Sequence, residues 1–269
     1  GYPLATLTLP VGPPAVVCVG GTPHRTGVES SMTDQMSHIV EGQKTHIVLL
    51  AVLLVAVYLA TGLTGALHGS FAGLSTSAWL WLVLADAIFH QFYVWFCWRM
   101  ELHGQHLTRY FGQTMRAFNI YAIGFSILFI ARFFLIIAVG YANRGTWMIN
   151  PSVGYGVAIL IAVPALYLFY SVRVFFGFQR AFGIDHFVKE ARNWPIVRKG
   201  IFRFTPNAMY VFGIGALWIP AFAFQSLAAL IAAGFSHVYI WVHYFTVEEP
   251  DMRQLYGGGS DAKGDGDPA

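Results

Sequence analysis

Two polar clusters in the C-terminal third of the chain have side chains that can hold a charged, hydrogen-bonding ligand. Asn207 and Tyr210 stand at the start of a long apolar block, and Glu248 and Glu249 follow directly after its end. A hairpin of two helices would bring the ends of this block together, so we expect the four side chains to meet at one membrane surface. Two adjacent carboxylates favour a cationic partner, and the amide and the phenol add hydrogen bonds. The alternative is a solvated helix end that Pro250 terminates.

The segment Met100–Gly112 offers a second candidate site, with His103 and His106 beside Glu101. Two histidines and a carboxylate are metal-ligand types. No further residues complete a set of four ligands, and the two cysteines supply no thiolate site. We therefore predict no metal ion, and we interpret the two histidines as a pair that faces the lipid headgroups.

Asp86, His90 and Arg132 are ionisable residues well inside the apolar blocks. Asp86 and His90 are four residues apart, hence on one face of a helix, and Arg132 lies deep in the next block. Ionisable groups at membrane depth are costly unless they are paired. Two interpretations stay open: contact with a substrate or cofactor, or an ion pair between Asp86 and Arg132 that fixes the packing of two helices.

The composition indicates which elements must position these residues. The chain of 269 residues is 56% hydrophobic and 11% charged, whereas a soluble domain has about 25% charged residues. A water-soluble globule is therefore excluded. The net charge of +3 is too small to indicate a nucleic-acid partner.

Five apolar blocks are long enough to cross a membrane as helices. They are Thr45–Leu67, Ala78–Met100, Ala117–Gly140, Ser152–Phe178 and Ala208–Val247. The last block has 40 residues and contains Pro220 and Gly234, so we predict that it folds as a hairpin. The result is an all-α, polytopic membrane bundle with about six crossings.

The distribution of basic residues agrees with this count. Two connections between blocks are basic, with Arg99, Arg109 and Arg116 in one and Arg180, Lys189, Arg192, Arg198, Lys199 and Arg203 in the other. The connection His68–Ser77 has no Lys or Arg, and Tyr141–Pro151 has one Arg. By the positive-inside rule the basic connections are cytoplasmic, and an even number of crossings places both chain ends on that side.

Three regions are predicted along the chain. Residues 1–44 comprise a Pro- and Gly-rich stretch, interpreted as a disordered or non-native extension, and a polar lead-in that begins at Met32. Residues 45–256 form the membrane domain. Residues 257–269 have the composition of a flexible polar tail.

The motifs of the C-terminal third resemble those of the phospholipid methyltransferase family, and within it the phosphatidylethanolamine N-methyltransferases. The similar residues are Asn207-Ala208-Met209-Tyr210 with Gly213, then Glu248-Glu249-Pro250 with Leu255-Tyr256. Two further stretches, His106–Gly112 and Phe182–Arg192, also look like the family. Ala208 stands where the family has Pro.

This resemblance implies an integral-membrane enzyme that transfers methyl groups from S-adenosylmethionine to phosphatidylethanolamine, or to its mono- and dimethyl derivatives. It implies cofactor binding by Glu248, Glu249, Asn207, Tyr210 and Gly213. The nearest counterpart of the family's Gly-x-Gly is Gly154-Tyr155-Gly156, so Gly154 and Gly156 join these candidates.

The lipid and the proton that must leave its amine suggest further residues. Arg109 and Arg203 are candidate anchors for the lipid phosphate. Glu249, His106 and His243 are candidate catalytic proton acceptors, and the sequence does not choose between them. The rings of Tyr210, Trp241 and Tyr244 either face the cations or form an interfacial belt.

The resemblance also implies a setting: the endoplasmic reticulum membrane in a eukaryote or the inner membrane in a bacterium, with the active site facing the cytoplasm. The expected partner is a membrane phospholipid, and no obligate protein partner is indicated. Three alternatives stay open: a methyltransferase for another lipophilic substrate, an enzyme like the NADPH-dependent sterol reductases, and a small transporter. The basic run from Lys189 to Arg203 would suit the phosphates of NADPH, whereas no internal repeat supports a transporter.

Overall fold

The structure is a computed structural model that describes residues 35–257. These residues form a helical bundle, and the two strands found among them are short: Ser70–Phe71 (β1) pairs antiparallel with Leu74–Ser75 (β2). The predicted all-α membrane architecture is confirmed. The predicted extension before residue 35 and the predicted tail after residue 257 lie outside the described residues.

The helices follow the apolar blocks. The α-helices are α1 (Gln43–Thr64), α2 (Thr76–Gly104), α3 (His106–Phe111), α4 (Thr114–Ala142), α5 (Pro151–Ser171), α6 (Phe178–Ala181), α7 (Ile219–Ala223), α8 (Leu227–His243) and α9 (Glu249–Tyr256). Three π-helical stretches are Val172–Phe176, Met209–Gly213 and Tyr244–Glu248, and four 3₁₀ stretches are Ile184–His186, Lys189–Asn193, Gly200–Arg203 and Ile214–Trp218.

Five continuous helical segments in the described chain are long and apolar enough to cross a membrane. They are Gln35–Thr64, Thr76–Gly104, Thr114–Ala142, Pro151–Phe176 and Leu227–Tyr256. A shorter apolar segment, Met209–Ala223, precedes the last of them. The 40-residue block therefore divides into two arms as predicted, although its first arm is shorter than a regular crossing. The chain reverses at Gln225, which has a left-handed φ of 47°.

Asn143 holds the turn of the hairpin against the neighbouring connections. Its side-chain oxygen accepts hydrogen bonds from the hydroxyl of Ser226 at 3.1 Å and from the backbone N–H of Ala228 at 2.8 Å. Its side-chain nitrogen donates to the carbonyl of His68 at 2.8 Å. One buried amide thus joins three connections, and we call this end of the bundle the Asn143 end.

The opposite end, which we call the Glu248 end, gathers both basic connections. Trp98 near the end of α2 stacks on His186 with ring centroids 4.0 Å apart. The hydroxyl of Tyr256 in α9 donates to the carboxylate of Asp185 at 2.7 Å. The two basic connections therefore lie at one end of the bundle, as the charge pattern predicts. Their assignment to the cytoplasm stays a prediction.

The described part of the polar lead-in, residues 35–42, packs against the bundle. The indole N–H of Trp95 donates to the carbonyl of Ile39 at 2.9 Å. Gly42 has a φ of 78°, and a Cβ there would overlap the carbonyl oxygen of Thr246. Glycine at this position therefore lets the start of α1 approach the end of the hairpin.

Helix α8 is the central element of the bundle, in contact with α1, α2 and α4. Four of its small residues, Ala228, Ala229, Ala232 and Ala233, are completely buried. Small side chains allow close approach of neighbouring backbones, which is how helices pack in membranes. The close packing fixes the direction in which α8 carries His243 and the residues after it towards the Glu248 end.

Asp86 and Arg132 form a buried ion pair between α2 and α4. The guanidinium Nε of Arg132 donates to the carboxylate of Asp86 at 3.0 Å, and a second nitrogen donates to its backbone carbonyl at 3.3 Å. The packing interpretation of these two residues is therefore confirmed. The same Arg132 also borders a cavity, described below.

Replacement of Asn143 by leucine should destabilise the bundle. The variant leaves buried donors and acceptors on three connections unpaired, so we expect the free energy of unfolding to fall by about 2–4 kcal/mol. The measurement is thermal or denaturant unfolding of the detergent-solubilised protein. The control is Asn119→Leu on the exposed face of α4; equal stability of the two variants would contradict the assigned role of Asn143.

Candidate functional site

A cavity of about 360 Å³ lies between α2, α4, α5 and the C-terminal hairpin. Most of its lining is apolar, including Val94, Phe125, Phe129, Leu168, Phe169 and Ile240. Polar side chains border it in two places: Tyr210 and Glu248 towards the Glu248 end, and His90 and Arg132 deeper in the bundle. The cavity is thus an apolar chamber with two separate polar regions.

The two arms of the hairpin form the polar region at the Glu248 end of the cavity. Tyr210 lies in the π-helical stretch that opens the first arm, and Glu248 ends the π-helical stretch that follows α8. The phenol of Tyr210 donates a hydrogen bond to the carboxylate of Glu248, 38 residues along the chain. The structure thus brings together two of the four side chains that the sequence predicts to meet.

All three π-helical stretches contribute residues to the cavity. Val172, Tyr210 and Glu248 each belong to a different one of them and line the chamber. A π turn interrupts the regular helical repeat and redirects the side chains that follow, and such turns occur frequently at functional sites. Their convergence singles out this cavity as the candidate site.

The rings of Tyr210, Trp241 and Tyr244 form a cluster beside the carboxylate of Glu248. The centroid of Tyr210 lies 5.6 Å from that of Trp241 and 5.5 Å from that of Tyr244. All three residues are partly buried. Both interpretations of these aromatic residues therefore stay open, because a cluster at this end can contact either a bound cation or the membrane interface.

The cavity opens sideways onto the outer surface of the bundle. Ile130 on α4 and Phe178 on α6 line it, yet 53% and 50% of their surfaces are exposed. Ile130 lies inside a membrane-spanning segment, so the surrounding medium at this opening is lipid. A lipophilic molecule can therefore reach the chamber from the bilayer.

Two further predicted residues line or border the cavity. His243, at the end of α8, is among the lining residues, as is Gly213. A Cβ at Gly213 would lie 3.0 Å from a methyl carbon of Leu168, so glycine keeps this wall closely packed. Among the three candidate proton acceptors, His243 is the one that the structure brings to the chamber.

Other predicted residues lie elsewhere. A Cβ at Gly154 would meet the carbonyl of Phe222 near the Asn143 end, and one at Gly156 would meet open space. The expected cofactor contact of these glycines therefore has no geometric support. His106 on α3 lies beside Gln35, with 3.4 Å between their side-chain nitrogens, outside the cavity lining.

Glu249 points away from its neighbour Glu248. Its carboxylate accepts a hydrogen bond from Arg253 at 2.7 Å on the outer side of α9. Asn207 is half-buried just before the first arm and accepts backbone hydrogen bonds at its carbonyl. Arg109 and Arg203 are exposed in the two basic connections. These four residues lie at the Glu248 end without lining the chamber.

A buried charge network supports the site from the side of the basic connections, and the sequence did not reveal it. Arg99 is 1% exposed and forms an ion pair with Asp251. His186 lies between two carboxylates, with Nδ1 3.1 Å from Asp185 and Nε2 3.4 Å from Asp251. The charge pattern assigns Arg99 to a connection, but α2 continues past it to Gly104. The sequence feature that could have indicated this network is Asp251, a third acid directly after the Glu-Glu-Pro motif.

The two carboxylates control the protonation of His186. Burial opposes the charged imidazole, but the hydrogen bonds and negative charges of Asp185 and Asp251 prevail and raise the pKa of His186 to about 9. Burial likewise opposes the charged form of Asp185, yet the hydrogen bond and charge of His186 and the hydroxyl of Tyr256 hold its pKa below its usual range. At neutral pH His186 and Asp185 are therefore both charged.

Residues 152–259 match the model of the phospholipid methyltransferase family. The matched segment is similar to phospholipid methyltransferases. The match spans less than half of the chain, and it includes α5, both arms of the hairpin and the Asp185, His186 and Asp251 network. Neither a curated protein nor a solved structure matches the chain. The matched segment thus supplies the polar end of the cavity, while α2 and α4 complete its walls.

The raised pKa of His186 predicts how the free energy of unfolding depends on pH. The pKa of His186 is higher in the folded protein than the unfolded value of 6.5, so its contribution is complete below about pH 6.5 and is lost as the pH rises through about 9. We expect a loss on the order of 3 kcal/mol across this window. Unfolding of the solubilised protein as a function of pH measures it. His186→Gln should remove most of this alkaline loss, whereas His237→Gln, outside the network, should retain it.

Proposed function

We propose that the chain is an S-adenosylmethionine-dependent N-methyltransferase that methylates phosphatidylethanolamine, or its mono- and dimethyl derivatives, towards phosphatidylcholine. The observation that supports this most is the Tyr210 and Glu248 pair above an apolar cavity that opens into the bilayer. A reaction between a charged, soluble cofactor and a membrane lipid needs a site with a polar side for the cofactor and an apolar side for the lipid. The proposed active site faces the cytoplasm, in the endoplasmic reticulum membrane of a eukaryote or the inner membrane of a bacterium.

The residues at the Glu248 end fit the proposed cofactor. S-adenosylmethionine supplies a methyl group on a positively charged sulfur and carries hydroxyl and ammonium donors. The carboxylate of Glu248 offers negative charge and hydrogen-bond acceptors. Tyr210 orients that carboxylate, and its ring with those of Trp241 and Tyr244 offers faces that attract a cation. Asn207, before the first arm, is placed to add an amide contact.

The lipid substrate would enter through the opening between α4 and α6. Its amine would reach the chamber, its acyl chains would stay in the surrounding bilayer, and its phosphate would lie towards the Glu248 end. Arg109 and Arg203 are exposed at that end, so we retain them as anchors at the membrane surface rather than inside the chamber. The apolar walls exclude water, which protects the methyl group from competing hydrolysis and strengthens the interactions with charge.

The reaction requires an uncharged amine about 3–3.5 Å from the methyl carbon. A lipid amine is protonated in water at neutral pH, so a group in the chamber must accept its proton. His243 lines the chamber, whereas Glu249 is paired with Arg253 and His106 lies on α3. Of the three candidates we therefore assign this role to His243.

A reductase that uses NADPH is less consistent with the cavity. Such an enzyme would need basic residues placed to contact the phosphates of the cofactor. Among the described residues that line the cavity, Arg132 is the basic one besides the histidines, and its charge is neutralised by Asp86. Arg192, in the basic run, donates to the backbone carbonyl of Asp185 at 2.9 Å.

Glu248→Gln should weaken cofactor binding by about 10- to 100-fold, because it removes the carboxyl group that faces the chamber. Titration calorimetry of the solubilised protein with S-adenosylmethionine measures the change. The matched control is Glu249→Gln, which removes a charge of the outward-facing pair and should change the affinity by less than about threefold. Equal loss in both variants would contradict the assignment to Glu248.

The ligand class can be tested without knowing the lipid. We expect S-adenosylmethionine and S-adenosylhomocysteine to raise the melting temperature of the wild-type protein, with no rise for NADPH. Membranes containing the protein should then transfer a labelled methyl group to at least one of the ethanolamine, monomethyl and dimethyl lipids. Stabilisation by NADPH alone, or no labelled lipid of any class, would rule out the proposed function.

A further inference from the structure

Two buried histidines face the cavity with no hydrogen-bond partner among residues 35–257. His90 on α2 and His243 on α8 are only 4% and 2% exposed, and both line the chamber. Neither ring nitrogen of either residue forms a hydrogen bond in the described structure. Buried polar groups are nearly always satisfied, so four unpaired nitrogens around one cavity point to a ligand with polar hydrogens or acceptors.

Most charged groups near the two imidazoles belong to ion pairs: Arg132 with Asp86, Arg99 with Asp251, and His186 with Asp185 and Asp251. Near His90 the charges are those of Arg132 and Asp86, which form an ion pair, and its ring packs edge-on against Phe125 at a centroid distance of 4.6 Å. The titratable or charged groups around His243, taken over every element that packs against it, are His46 on α1, His90 and Arg99 on α2, His186 in the second basic connection and Glu248 above it.

We propose that His90 and His243 form the subsite for the acceptor amine of the lipid and that they remove its proton before methyl transfer. This inference rests on the proposed function. An uncharged imidazole has one bare nitrogen that accepts an N–H hydrogen bond or a proton, so two imidazoles can hold two N–H groups of one amine. Once one imidazole has taken a proton, the amine turns about its C–N bond so that the new lone pair faces the methyl carbon.

Proton transfer precedes methyl transfer. One imidazole nitrogen takes a proton from the lipid ammonium group, whose N–H electron pair becomes the lone pair of the amine. That pair forms the new N–C bond to the methyl group, and the C–S bond breaks with its electrons kept by sulfur. The products are a lipid ammonium with one more methyl group, a neutral thioether and an imidazolium, which later releases its proton to water.

The same chamber is less suited to the lipid phosphate. An anion would need net positive charge, and the one arginine in the lining is already neutralised by Asp86. An ammonium or methylated ammonium group, by contrast, gains from the aromatic faces beside the histidines. Phe125 contacts His90, and the ring centroid of Trp98 lies 6.2 Å from that of His243.

Substitution with glutamine separates proton removal from hydrogen bonding. His90→Gln and His243→Gln keep a polar side chain but cannot accept a proton, so we expect lipid methylation at about pH 7 to fall by about 100-fold. The deficit should narrow at about pH 9, where solvent deprotonates more of the amine, while the affinity for S-adenosylmethionine stays within about threefold. The control is His237→Gln, since His237 pairs with Trp218 outside the cavity. Unchanged rates, or a deficit that is the same at both pH values, would overturn the proposal.

A binding measurement tests the subsite without turnover and without a variant. In nanodiscs, carbethoxylation of histidines by diethyl pyrocarbonate is mapped by mass spectrometry. We expect phosphatidylethanolamine to protect His90 and His243 at least about threefold relative to phosphatidylglycerol, with His237 labelled equally in both. Equal labelling of the cavity histidines in the two lipids would overturn the subsite. If protection is seen but no lipid is methylated, the amine subsite stands and the proposed reaction fails.

Discussion

Polar groups inside this bundle must find their partners within the protein, because lipid hydrocarbon offers none. Three such contacts organise the described structure: the Asn143 amide at one end, the Asp86 and Arg132 pair in the middle, and the Arg99, Asp251 and His186 network at the other end. Each joins elements that are distant in sequence. Together they fix the positions of α2, α4 and the hairpin, and so they fix the shape of the cavity between these elements.

Because buried polar groups need hydrogen-bond partners, polar atoms without a partner beside a cavity indicate where a ligand could bind. The nitrogens of His90 and His243 are unpaired beside the chamber. Nearby His46 shows the contrast, because its two ring nitrogens bond to Thr246 at 2.9 Å and to Tyr239 at 2.8 Å. The difference between these histidines is the cavity, and an amine is the ligand that suits two acceptors among aromatic rings.

The two polar regions of the chamber have different proposed roles. Glu248 and Tyr210 face the end where a soluble, charged cofactor can approach, and the histidines lie deeper, within reach of a lipid that enters from the side. The buried network behind Glu248 holds α9 against the second basic connection. Protonation of His186, with its raised pKa, therefore stabilises the surface on which the proposed cofactor rests.

Much of the fold could be predicted from the residues alone, because the need to span hydrocarbon gives helices a required length and composition. The hairpin, the grouping of the basic connections and the meeting of Tyr210 with Glu248 all followed from block lengths and charge placement. The sequence could not say that Glu248 faces the chamber while Glu249 pairs outward, because a π-helical stretch ends between them and redirects the side chains. Nor could it show that Arg99 is buried or that His90 and His243 share one cavity. Such contacts depend on how separate helices are rotated about their axes and packed against each other. The spacing of residues along the chain does not determine that rotation.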